Sequence, residues 1–120
     1  MLEYKKVLDG FMQLAGIDEE RAGEHSLIID LSIFEVQSMC GDRCELPENA
    51  ERLCSAAAAF AYYKYCLLCS SHDGGFKAGD LTVSAADSAE LIKSARALRD
   101  DAIAMIYDIV GDSRFYFGQV

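Results

Sequence analysis

Tryptophan is absent from the 120 residues, proline occurs once and histidine twice. A single proline excludes a proline-rich linker or a collagen-like rod, and two histidines leave little imidazole for a metal centre or a general base. Clustered cations are lacking too. No stretch joins more than two Lys or Arg, and eleven basic against twenty acidic side chains give a formal charge of -9. Binding to a phosphate backbone draws on counterions released by grouped basic residues, so specific nucleic-acid binding is not expected. Acidity instead favours solubility and a surface that repels nearby DNA. The most apolar stretch, Leu53 to Cys69, is interrupted by Ser55 and Lys64 and falls short of the ~20 residues that span a bilayer. No apolar run follows Met1-Leu2-Glu3-Tyr4-Lys5-Lys6 in the manner of a secretory leader. Neither a membrane partner nor export is expected.

What remains is the composition of one folded domain over residues 1–120, with 52% apolar and 26% charged residues. Cys40, Cys44, Cys54, Cys66 and Cys69 make an odd number, which with no export signal favours reduced thiols over a disulfide framework.

Over residues 2–15 the stripe Val7, Leu8, Phe11, Met12 and Ala15 has the rhythm of an amphipathic helix. Gly16 suits the left-handed stop, with Ile17 folding back. An acidic connector, Asp18-Glu19-Glu20, leads to a second helix over about 24–40. There Leu27, Leu31 and Phe34 form the apolar stripe, broadened by Ile28 and Ile29, and Gly41 is the stop. Asp42 to Glu45 is a short link, and Pro47 opens a third helix that runs to about Ser70. Its alanines, Phe60, Tyr62, Tyr63 and Tyr65 leave almost no polar face, so it needs cover on all sides, which a second copy or another partner would complete. The alanine run would let neighbouring backbones approach closely.

Ser71-His72-Asp73-Gly74-Gly75 breaks the chain, and Phe76 to Val83 reads as a loop or short hairpin. Ser84 and Asp87 resemble a capping box for a fourth helix, whose Leu91, Ala95, Leu98, Ala102, Met105 and Ile109 form a narrow seam that ends at Gly111. The tail Arg114-Phe115-Tyr116-Phe117-Gly118 is aromatic, a terminal strand or a docking arm. The fold class is therefore all-α: a bundle of about four helices with a loop or short β-hairpin between the third and fourth.

Cys66-x-x-Cys69-x-x-His72, with Cys40 and Cys44 as a second pair, is the sharpest chemical candidate, but the spacing matches no standard zinc module and buried cysteine is a common small hydrophobe. A redox pair would sit at a helix N-terminus, and this one lies near a C-terminus. His25 and His72 fall at helix boundaries, where exposure or capping accounts for them. Asp100-Asp101 and Asp18-Glu19-Glu20 read as solvated surface, and Gly74, Gly75 and Gly79 lack the Lys-Ser or Lys-Thr of a phosphate loop. No catalytic, cofactor-binding or metal-binding residue is assigned.

Met39-Cys40-Gly41 followed by Leu46-Pro47, the helix from Ala57 to Tyr65, Phe76-Lys77-Ala78-Gly79-Asp80-Leu81-Thr82-Val83-Ser84 and Phe115-Tyr116-Phe117 together resemble the small head-tail connector, or adaptor, proteins of tailed bacteriophages and prophages. The resemblance implies a non-catalytic ring of identical subunits beneath the portal, passing DNA through its middle and receiving the tail or a stopper protein. It implies assembly in the bacterial host cytoplasm and residence in the virion. The loop from Ser71 to Val83, with Phe76, Leu81 and Val83, and the tail from Ser113 to Val120, with Phe115, Tyr116 and Phe117, would contact neighbours. Phe60 and Tyr63 on the alanine-rich helix, and Leu91, Leu98 and Met105 on the last helix, would serve the ring interface. The alternatives are a small binding or regulatory module that dimerises through its last helix, and a thiol or metal enzyme.

Overall fold

Gly16 and Gly41, with φ of 68° and 57°, turn the chain at the ends of its two first long helices. A computed structural model describes residues 2–70, 76–78, 81–83 and 85–110. Helix α1, Tyr4–Ala15, buries Val7, Phe11 and Ala15 along the expected stripe. The Gly16 and Ile17 amides both donate to the Met12 carbonyl, at 2.8 and 3.4 Å. This double closure satisfies a carbonyl that the helix end would orphan and folds Ile17 onto the core.

The acidic connector is itself helical. Asp18 accepts a hydrogen bond from the Arg21 amide at 2.9 Å and so caps a short helix α2, Glu19–Gly23. Helix α3, Ser26–Cys40, follows and places Ile29, Ile33, Val36, Met39 and Cys40 in the core. Ser32 is buried among them, its hydroxyl satisfied by donation to the Ile28 carbonyl at 2.9 Å.

Two 3-10 turns, Gly41–Glu45 and Pro47–Asn49, carry the chain into α4, Ala50–Ser70. Pro47 takes the first-turn position, where its missing N–H has no partner to lose. Buried Asn49 ties the two turns together by donating to the Arg43 carbonyl at 3.1 Å.

Helix α4 runs through the middle of the domain, packing most extensively on α5 and then on α1 and α3. Its alanines permit that position. A Cβ added at Gly10 would lie 2.9 Å from the Ala58 Cβ, so α1 and α4 touch almost backbone to backbone. Over its middle turns the cover comes from the same subunit: Ala56 to Ala61, including Phe60, are buried, while Leu67 and Leu68 near its end are exposed. Three neighbouring helices supply cover that the sequence alone does not display.

The segment after α4 forms an antiparallel hairpin of β1, Phe76–Ala78, and β2, Leu81–Val83, in the register Phe76↔Val83, Lys77↔Thr82 and Ala78↔Leu81. Helix α5, Ala85–Met105, stops at a turn around buried Ile106, and a single turn α6, Tyr107–Val110, completes the described chain. The last helix is thus not continuous to Ile109. Arg52 donates to the Met105 carbonyl at 3.0 Å and Arg43 to the Ile109 carbonyl at 3.2 Å, cationic partners for carbonyls at two helix ends. The fold is an all-α bundle, as expected; among the described residues it has six α-helices rather than four, because α2 and α6 are short elements at corners. Of the expected capping pair, Asp87 falls in the first turn of α5, while Ser84 and the aromatic tail lie outside the described residues.

Candidate interaction surface

The expected stripe on α3 is divided. Leu27 is 69% exposed, Leu31 47% and Phe34 68%, while Ile29 from its edge enters the core with Ile33 and Val36, and Ile28 is partly buried. Both sets repeat at helical spacing, so periodicity does not choose between them. Buried Ser32 made the true core face look more polar than it is. The consequence is a helix with one apolar face in the protein and a second facing outward.

Lys64 of α4 pairs with Glu35 and lies 5.5 Å from the centre of the Phe60 ring. Leu31 is one turn before Glu35 on α3 and exposed Leu68 one turn after Lys64 on α4, each on the same side of its helix as the ion pair. Phe60 itself, expected to meet a neighbour, is 4% exposed and belongs to the core.

Tyr63 is half-buried beneath α5: Arg99 lies 4.6 Å from its ring centre, and Arg96 donates to its hydroxyl at 3.3 Å. The expected seam on the last helix divides around this contact. Ala95 and Ile109 are buried, Leu91 and Ala102 partly so, while Leu98 is 37% and Met105 65% exposed. Seven residues apart, Leu98 and Met105 share one side of α5. Tyr107 is exposed just beyond them. A dimer through the whole seam would need Ala95 and Ile109 outside, which the packing contradicts. Arg52 and Asp108 form an ion pair of 2.9 Å beside Met105, and that contact holds the Asp108 carboxyl below its ordinary range.

Phe76, Leu81 and Val83 lie on the hairpin strands, with Phe76 opposite Val83. Phe115, Tyr116 and Phe117 lie outside the described residues.

Of the chemical candidates, the thiols of α3 and α4 belong to the core, while His72 and the Cys44 side chain lie outside what the structure describes. Cys40, Cys54 and Cys66 are buried, Cys69 is partly buried, and none of the four is in a disulfide. Burial pushes the Cys66 thiol up from 9.0 to about 11, and lifts Cys54 and Cys69 in the same direction. Tyr62 and Tyr65, one turn before Cys66 and Cys69, hydrogen-bond to them and are raised as well, Tyr65 to about 12. These are neutral groups at physiological pH, poorly suited to attack or to metal ligation. His25 takes the N-cap position of α3, where its carbonyl accepts from the Ile29 amide at 3.2 Å but its side chain makes no capping bond; the half-buried ring instead stands edge-on to Tyr65 at 5.0 Å and Phe11 at 6.4 Å. Among the described residues no three His, Cys, Asp or Glu gather in a metal-binding group. No described helix is long and apolar enough to cross a membrane.

The molecule is thus an all-α bundle whose distinctive feature is the apolar side chains exposed on α3, the end of α4 and α5. No protein-family model matches the chain, and no curated protein or solved structure is similar to it.

Proposed function

We propose that the chain is a structural assembly subunit of the head-tail connector kind found in tailed bacteriophages and prophages, working by shape and self-association rather than by turnover. One observation carries the reading. Large apolar side chains stand in solvent on α3 and on α5, helices that flank α4 and make little contact with each other. Contiguous exposed apolar surface on a small acidic protein marks an interaction site, and two such surfaces on different flanks suit contacts that close into a ring. The ring would sit between a portal and a tail or stopper protein, formed in the host cytoplasm and carried into the virion. The acidic surface suits a passage through which DNA slides without being held.

Native mass spectrometry over a range of concentrations, on the chain alone and with a portal protein, tests the reading. Rings of identical subunits are expected in one or both conditions. Monomer throughout both would overturn it.

A further inference from the structure

We infer that the outer face of α3 in one subunit docks against the outer face of α5 in the next copy of this chain. The inference rests on the self-assembling role proposed above and names the two surfaces that meet. On α3 the contact centres on Leu27, Leu31 and Phe34; on α5 it centres on Leu98 and Met105.

Three observations select a second copy as the occupant. The first is that the two faces are separate. Arg96 and Arg99 turn toward Tyr63, while Leu98 and Met105 share a side that the bundle leaves open. The α3 stripe lies on another helix, across α4. One subunit therefore carries both halves of a head-to-tail contact, and each addition leaves a free copy of each half.

The second is area. With the residues at its edges, the α3 face exposes on the order of 500 Å² of apolar surface and the α5 face on the order of 300 Å². The smaller face limits what a contact buries, so at the usual apolar share of about three-fifths the interface is on the order of 1,000 Å², at the threshold of a specific contact.

The third is charge. Subunits of net charge -9 repel one another, but one ion pair beside each face is closed within the subunit, Glu35 with Lys64 and Arg52 with Asp108. Those pairs add no net charge where the faces meet. Asp30, next to the first stripe, and Asp101, next to the second, remain exposed and add to the repulsion that the apolar contact must outweigh.

Two variants test the contact. Phe34→Asp disables the α3 face and Met105→Glu the α5 face; both sites are more than half exposed, so the fold is retained, as circular dichroism checks. Leu27→Asp and Leu98→Glu serve as second choices for the same faces. Each variant alone is expected to be monomeric at concentrations where the unmodified chain assembles. An equimolar mixture is expected to give a discrete species of two subunits, one of each variant, because one intact α3 face and one intact α5 face remain between them. Acidic residues on both disabled faces prevent a substitute contact. An unmodified chain that never associates, alone or with a portal protein, would remove this inference together with the assembly role. If the unmodified chain assembles while either folded variant also does so, or the mixture stays monomeric, the pairing of α3 with α5 is wrong and the assembly role survives.

Discussion

At the scale of single residues, the closest approach in the bundle depends on a missing side chain. Gly10→Ala gains up to about 1 kcal/mol of helix propensity, but its methyl would meet the Ala58 Cβ at 2.9 Å. Overpacking of that kind costs about 1–3 kcal/mol, so a net loss is expected in denaturant unfolding. Adding Ala58→Gly to Gly10→Ala should leave the double variant less destabilised than the sum of the two single changes by about 1 kcal/mol. The thiols make a second prediction. Cys66 ionises near 9.0 when unfolded but only near 11 in the fold. Its raised value therefore contributes stability that is complete below pH 9.0 and is lost as pH rises toward about 11. Cys54, Cys69, Tyr62 and Tyr65 shift in the same direction and add to the loss. A melting temperature that falls over that alkaline window, and falls less in Cys66→Ala, is the expected result of thermal unfolding.

At the scale of elements, α3 separates what the sequence makes legible from what it does not. Its ends are readable: Gly41 closes it by backbone geometry, just as Gly16 closes α1. Its facing is not, because Leu27, Leu31 and Phe34 repeat with the same period as Ile29, Ile33 and Val36, and only the position of α4 decides between them. Substitution tests the facing directly. Ile29→Ala is expected to cost about 2–4 kcal/mol because it opens a core cavity, whereas Phe34→Ala should change stability by no more than about 0.5 kcal/mol. Helix α5 failed in the opposite sense: the four-three spacing from Leu91 to Ile109 suggested one seam, but the chain turns at Ile106 and packs Ile109 inward. A local turn held by distant arginines leaves no local mark. The alanine run of α4, by contrast, announced close packing, and what it concealed was that the cover comes from α1, α3 and α5 of the same subunit. The surface proposed for assembly was accordingly half legible: Leu98 and Met105 are among the residues expected to make contacts, while Leu27, Leu31 and Phe34 read from the sequence only as an apolar stripe with no assigned partner.

At the scale of the whole molecule, self-association of an acidic subunit has a definite salt dependence. If α3 meets α5, the apolar faces attract while net charge, Asp30 and Asp101 repel. Added salt screens the repulsion and leaves the apolar term in place. Sedimentation or light scattering should therefore show larger species as sodium chloride is raised from low to physiological strength, the reverse of a contact held by opposite charges. The arginines at the far end have a mechanical consequence. Arg43 and Arg52 grip the carbonyls of Ile109 and Met105 from segments that precede and begin α4. A pull on the chain beyond Val110 is therefore resisted by the bundle's central rod and not by the final helical turn alone. Tension at that end would be spread through the protein before any single helix had to unravel.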